Sequence, residues 1–218
     1  LSANVALAVN PEIDYVKVKV KSDDKYLIMG KNALGMIGDD KLEVVESFKG
    51  DKLVGLKYET CFEEFDNQKN IDHKVVAWED VSADDGTGVV HIAPGCGAED
   101  YELGKSLGLD IVIPVDDVGV IVKGFGFMTG KNTKEVAELV FDELEKRNKL
   151  YKVEEHEHSY PVCWRCKTDV IFKAVKEWYI DTDVIREDLI KASREVKWKP
   201  DFAGKRMEDW LKNMGNWA

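Results

Sequence analysis

Gly86-Thr87-Gly88-Val89-Val90-His91-Ile92-Ala93-Pro94-Gly95-Cys96-Gly97, with Asp100-Tyr101 close behind, is the stretch on which the reading of this chain turns. It reads as a glycine turn, a short buried strand, a strand-ending proline, a second glycine loop and a helix that starts near Glu99. That order places His91 at a strand end and Asp100 in a first helical turn, where the macrodipole and unpaired backbone N–H groups favour a carboxylate. Taken alone, such an acid ordinarily does no more than stabilise its helix. Set at the meeting point of a strand, two glycine loops and a histidine, it is also a fixed anion able to hold an ammonium group.

Outward from this stretch, Val16-Lys17-Val18-Lys19-Val20 alternates as a half-buried strand does. Residues 5–9, 26–29, 42–48, 53–58 and 75–78 add strand-like runs separated by Gly, Asp and Asn, and Ile111-Val112-Ile113 reads as a further buried strand. Many short strands at this spacing predict a closed or nearly closed β-barrel. A short helix is expected over 32–37. The helix that holds Asp100 should end at Gly108, a C′ glycine. A stronger helix is expected over 133–149, with Val136, Leu139, Val140 and Leu144 on one face and Asn132 and Glu135 as a capping box. Beyond Tyr160 a cysteine-containing hairpin leads to helices over 183–196 and 207–214. The fold class expected is therefore α+β: a barrel domain over 1–158 with helices packed outside it, and a mostly helical carboxyl-terminal extension over 159–218.

Composition narrows the function. With 218 residues and 44% hydrophobic content the chain can bury a substantial core. Its net charge of -11 argues against strong free-standing affinity for nucleic acid, since phosphates are met by Lys and Arg. The charge is uneven, because Arg186, Lys191, Arg194, Lys197, Lys199, Lys205, Arg206 and Lys212 make the last stretch slightly basic. A solvated helix face explains that stretch, and a tRNA or inter-domain contact is the alternative. No run approaches the roughly 20 apolar residues of a membrane span, and the first residues carry no basic-then-apolar signal. Four cysteines, two of them closely spaced, do not make a secreted disulfide framework, so a reducing cytoplasm is the expected setting.

The stretch Gly86 to Pro94 with Asp100 resembles the editing domain of isoleucyl-tRNA synthetase, a class I aminoacyl-tRNA synthetase, in which a GTGxVHxAP segment leads into an aspartate. The valyl and leucyl relatives share the glycines and the aspartate but usually lack the His91-x-Ala93-Pro94 pattern. The resemblance continues through Ala3-Asn4-Val5-Ala6-Leu7-Ala8-Val9, Pro114-Val115-Asp116, Gly130-Lys131 and Ser159-Tyr160-Pro161-Val162-Cys163-Trp164-Arg165-Cys166. It reaches Glu208-Asp209-Trp210-Leu211 and the tail from Asn213 to Trp217, which looks like the segment leading back to a catalytic core. Both ends read as cuts in a longer polypeptide.

The resemblance implies a proofreading ester hydrolase. One methylene is worth only about 1–3 kcal/mol in a binding pocket, a limit for which isoleucyl-tRNA synthetase is itself the standard illustration. A second, smaller sieve then removes the error. The implied substrate is the 3′ end of tRNA(Ile) carrying valine, and valyl adenylate is a further one. The implied partners are that tRNA and the remainder of the synthetase chain, with no membrane. Asp100 would grip the α-ammonium of the esterified amino acid and so present the ester carbonyl to water. His91 has three readings: a general base, a core histidine, and the preferred one, an imidazole wall that admits valine and excludes isoleucine. Gly86, Thr87, Gly88, Ala93, Pro94 and Gly95 would line the substrate site, through ribose or carbonyl contacts where small residues permit close approach. No cofactor is expected for editing, and ATP and magnesium belong to the synthetic domain. The family also places a threonine-rich peptide before the segment that Leu1-Ser2-Ala3-Asn4 resembles. Without it the chain is expected to fold yet hydrolyse poorly. A non-catalytic tRNA-docking fragment and a valyl-type editing domain are the alternatives.

The cysteines carry two further readings. Cys163 and Cys166 form a C-x-x-C on a hairpin turn, the shape of half a tetrahedral zinc site. His156 and His158 are near in sequence but alternate on an acidic segment as exposed residues do. The family resemblance implies instead a partner C-x-x-C in upstream polypeptide. Cys96 with His91 suggests a thiol nucleophile and its base, against which a small buried thiol is the plainer account. Cys61 carries no signal.

Overall fold

The computed structural model describes residues 1–21, 25–37, 41–153, 155 and 159–217. Two compact units divide at Ala174 and Val175. In the first unit the strands are β1 (Ala6–Val9), β2 (Asp14–Val20), β3 (Tyr26–Gly30), β4 (Leu42–Lys49), β5 (Lys74–Ala77) and β6 (Val90–Ile92). Its helices are α1 (Leu34–Ile37), α2 (Ala98–Leu107) and α3 (Thr133–Lys146).

The architecture is mixed α+β, and it corrects the expected closed barrel. The strands form two three-stranded sheets, ordered β5-β1-β6 and β3-β2-β4. β1 lies parallel to β5, with Ala6 opposite Lys74, and antiparallel to β6, with Leu7 opposite His91. β2 pairs antiparallel on both sides, with a register shift between Lys17 and Val18 against β4. Two runs that a barrel would use do not become strands. Over 53–58 the chain turns, because Gly55 sits at φ +86° and Leu53 and Leu56 donate back to Gly50 and Leu53. Over 111–113 Ile111 and Ile113 point to solvent and only Val112 packs inward.

The remaining elements follow local chemistry. The β2 alternation buries Val16 and Val18, while Lys17 and Lys19 lay their ammonium groups over the Tyr26 ring. α2 ends on Gly108 in the left-handed conformation, where glycine carries no Cβ penalty. α3 has the capping box of Asn132 and Glu135 and presses Val136, Val140 and Leu144 onto a core of Phe62, Phe65, Phe125 and Met128. Phe62 and Phe65 stack there with ring centroids 5.0 Å apart. A second core of Val5, Ala6, Ala8, Val76 and Ile92 underlies the β5-β1-β6 sheet and receives Leu103 from α2.

The second unit holds α4 (Asp183–Glu195) and α5 (Phe202–Lys212), the latter starting five residues earlier than its sequence pattern suggests. Ile180 and Trp217 exchange backbone hydrogen bonds at its base. Arg194 of α4 reaches Glu208 of α5 at 2.7 Å, and Lys212 reaches the same carboxylate at 2.9 Å. Residues 175–182, before α4, form no regular element apart from the bridge at Ile180. No helix among the described residues is long and apolar enough to cross a membrane.

Candidate functional site

β6 and the first turn of α2 converge through one hydrogen bond. Ala93, the residue after β6, donates its N–H to Asp100 Oδ2 at 2.8 Å. Asp100 lies in the first turn of α2, after the N-cap Gly97, which has no side chain to cap with. The carboxylate therefore ties strand end to helix start through one oxygen. Asp100 Oδ1 takes no hydrogen bond among the described residues, and the residue is part-exposed. An anion held rigidly by one oxygen and open at the other is suited to a cationic ligand.

Behind this carboxylate the packing is tight. Pro94 is fully buried beneath α2, where a Cβ on Gly104 would come within 2.6 Å of Pro94 Cγ. Gly95 is pressed against backbone, its missing Cβ falling 2.0 Å from the Val112 carbonyl oxygen. Gly88, at φ +71°, approaches Gly30, whose N–H donates to the Thr87 carbonyl at 2.7 Å. The buried Tyr15 hydroxyl donates to the Gly88 carbonyl at 2.6 Å. Thus Gly88, Ala93, Pro94 and Gly95 are enclosed, whereas Gly86 and Thr87 form an exposed turn in which the Thr87 hydroxyl bonds locally to Val89.

His91 is half-buried in β6, and burial pushes its imidazole down to about 4. Its Nδ1 lies 2.9 Å from Asn4 Nδ2. Asn4 is itself buried, donates to the Ala6 carbonyl at 2.8 Å, and accepts the Tyr58 hydroxyl on Oδ1. Asn4 and Tyr58 were not among the residues expected at the site. Asn4 left a faint signal, as the one polar residue in the apolar run Ala3 to Val9, since a buried amide must find partners. The Cys96 thiol is pushed up by burial and stays protonated, the opposite of what a cysteine nucleophile requires.

An open groove runs along another face of α2, between Trp78, Asp80, Glu99, Glu102 and Leu103. Asp100 does not line it. At 100° per residue, Asp100 projects well away from the Glu99, Glu102 and Ser106 side.

Cys163 and Cys166 occupy a tight turn: Cys163 donates its N–H to the Thr168 carbonyl at 2.8 Å, Lys167 returns to Cys163 at 2.9 Å, and Lys167 is left-handed at φ +61°. Hydrogen bonds from Thr168 and Cys163 hold the exposed Cys166 thiol down to about 7. The pair supplies two sulfur ligands, and no group of three metal-binding side chains occurs among the described residues. His156 and His158 lie outside the described residues. In the basic last stretch Arg186 is committed to the Leu211 carbonyl at 2.6 Å, and Arg194 and Lys212 to Glu208; Lys191, Lys197, Lys199 and Lys205 form no ion pair among the described residues.

The family model for class I tRNA synthetases (I, L, M and V) matches residues 2–218. Isoleucine--tRNA ligase of Archaeoglobus fulgidus is 40% identical over 100% of this chain and 22% of its own length. The corresponding protein of Pyrococcus horikoshii is also 40% identical, with the same two coverages. This chain thus spans 22% of the length of these curated relatives. The crystal structure described as GlLeuRS-CP1 superposes with a TM-score of 0.58 at 14% identity, over 72% of this chain and 79% of that one, a likeness of fold.

Proposed function

Since this chain belongs to the class I tRNA synthetases of the isoleucyl, leucyl, methionyl and valyl group, we propose that it is the proofreading portion of an isoleucine--tRNA ligase, hydrolysing valine from mischarged tRNA(Ile). The observation that carries the reading is the Asp100 carboxylate, fixed by Ala93 N–H through one oxygen and open at the other. The open oxygen takes the α-ammonium of the esterified valine. That contact turns the ester carbonyl toward water, so that positioning lowers the barrier. The water oxygen bonds to the ester carbon, the bond from that carbon to the ribose oxygen breaks, and the released ribose hydroxyl takes up a proton. Valine and free tRNA are the products. Nearby backbone dipoles, including the start of α2, offset the charge of the tetrahedral oxyanion.

His91 and Thr87 face the substrate in this reading. Gly88, Ala93, Pro94 and Gly95, being enclosed, act by holding the Gly86–Thr87 turn, β6 and α2 in place. The reading assigns no metal to the hydrolysis. Cys163 and Cys166 would supply two thiolates to a zinc ion whose other ligands come from elsewhere in the synthetase, where the metal would serve structure. The partners are the 3′ end of tRNA(Ile) carrying valine and the rest of the synthetase chain, and valyl adenylate is a second substrate of the same pocket.

In the full-length ligase, Asp100→Ala is expected to leave aminoacylation with isoleucine within about twofold and to slow valyl-tRNA deacylation roughly 100-fold, so that mischarged product accumulates. Normal editing by that variant would show that Asp100 is not the anchor. Loss of tRNA binding with deacylation chemistry unchanged would favour a docking fragment instead.

A further inference from the structure

Resting on the proofreading reading of the His91–Asp100 site, we propose that Tyr58 is a positioning residue which, through Asn4, holds His91 as the neutral tautomer protonated on Nε2, so that His91 meets the substrate as a hydrogen-bond donor and not as a base.

The Ala6 carbonyl fixes which way the Asn4 amide faces. That oxygen can only accept, so the Asn4 atom 2.8 Å from it must be the amide nitrogen. The opposite atom, Oδ1, then receives the Tyr58 hydroxyl proton. Both neighbours agree on one orientation of the amide. Asn4 Nδ2 has two hydrogens; one goes to Ala6, and the other points at His91 Nδ1, 2.9 Å away. Nδ1 must therefore be bare and accepting. A neutral imidazole that accepts at Nδ1 carries its proton on Nε2. Nε2 engages no protein group among the described residues and is not one of their buried, unpartnered polar atoms, so it opens to solvent.

Tyr58 is suited to the task because its phenol is a dependable donor: burial drives its ionisation far above the ordinary range. The His73 ring, tilted at 5.5 Å, covers it. Asn4 is 4% exposed, so water does not compete for its amide. Burial of His91 likewise disfavours the imidazolium. The chemical consequence is specific. At neutral pH neither ring nitrogen of His91 can take a proton from the attacking water: Nδ1 is occupied by Asn4 and Nε2 already bears hydrogen. The side chain offers one N–H to the pocket, which suits a wall that selects or orients the bound ester.

The intact synthetase chain, its histidines labelled with nitrogen-15, tests this by magic-angle-spinning NMR, with His91→Gln identifying the His91 signals. Expected is an unprotonated Nδ1 and a protonated Nε2 at neutral pH. Tyr58→Phe frees Asn4 Oδ1 and should move His91 toward a mixture of tautomers. Asn4→Asp, which can only accept, should place a proton on Nδ1. In deacylation of valyl-tRNA, Tyr58→Phe should cost roughly threefold to tenfold, the worth of one ordinary hydrogen bond, with aminoacylation unchanged. A wild-type Nδ1 that carries hydrogen overturns the proposal, as does a tautomer pattern that survives both substitutions. A wild-type ligase that fails to deacylate valyl-tRNA(Ile) would instead overturn the proofreading reading and leave the nitrogen pattern standing.

Discussion

The loop-strand-helix segment over 86–100 and the cysteine turn over 160–169 both carry chemistry-bearing residues, and they are built in opposite ways. In the first, Asp100 is tied locally by Ala93, but His91 is met from far along the chain: Asn4 reaches His91 across 87 positions and Tyr58 reaches Asn4 across 54. In the second, the turn is held by local contacts, such as Val162 opposite Asp169 and the Thr168 hydroxyl beside Cys166, and Trp164 stands 77% exposed. The first is a preorganised site whose geometry is fixed before any ligand arrives. The second presents half of a coordination shell and depends on whatever completes it.

The largest effect that would break this contrast is a backbone collision at the first segment. Gly95→Ala places a Cβ 2.0 Å from the Val112 carbonyl oxygen, so the strand end and the 111–113 segment must part. A loss of about 3 kcal/mol is expected in denaturant unfolding of the chain. Cys166→Ser, on the exposed turn, should stay within about 0.5 kcal/mol. Equal losses from the two would mean that the first segment is no better fixed than the second.

A smaller effect is expected from acid. His91 has its pKa lowered by burial to about 4, against 6.5 for the ordinary imidazole, so the unfolded chain takes up this proton first. Stability from this group is whole above about pH 6.5, falls as the pH drops toward about 4, and then levels off, a change of about 1–3 kcal/mol. His73, also lowered by burial, adds to the same window, so His91→Gln should remove only part of the slope. Partly covered Glu208, held down to about 2 by Arg194 and Lys212, acts lower: its contribution is whole above the ordinary carboxylate range and is lost as the pH falls toward about 2. Stability curves for wild type and His91→Gln separate these windows, and identical curves between pH 4 and 6.5 would contradict the buried neutral imidazole.

The smallest effect concerns the cysteine turn. Two thiolates leave half of a tetrahedral shell unfilled, so this chain alone is expected to hold zinc weakly, below one equivalent after dialysis. Elemental analysis reads this directly. One tightly held zinc per chain would mean that ligands within these residues close the site.

Local chemistry was legible in the sequence where neighbours decide the structure. α3 announces itself through Asn132, Glu135 and its apolar stripe, α2 through Gly108, and β2 through its alternating valines. Long-range pairing was not legible. The run over 53–58 has strand-forming residues, but Gly55 in the left-handed region turns the chain, and the run over 111–113 looks buried though only Val112 meets the core. The expectation of a barrel rests on the series of short runs before residue 80, of which 53–58 does not become a strand, whereas the parallel pairing of β1 with β5, which shapes one sheet, leaves no mark in either strand alone. At the site, Asp100 and His91 were visible through their motif. Tyr58 was not, because nothing near it in sequence shows that its hydroxyl ends on Asn4.

The central claim is that Asp100 acts through charge on an ammonium group, and a pair of esters tests it most directly. The full-length ligase, wild type and Asp100→Asn, would be given tRNA(Ile) charged with valine and the same tRNA charged with the α-hydroxy analogue, which has no ammonium. Asn can still accept the Ala93 N–H, so the strand-to-helix tie is retained while the charge is lost. Wild type is expected to deacylate the valine ester at least about tenfold faster than the hydroxy ester, and Asp100→Asn to lose that preference. A preference of equal size in both enzymes would contradict it.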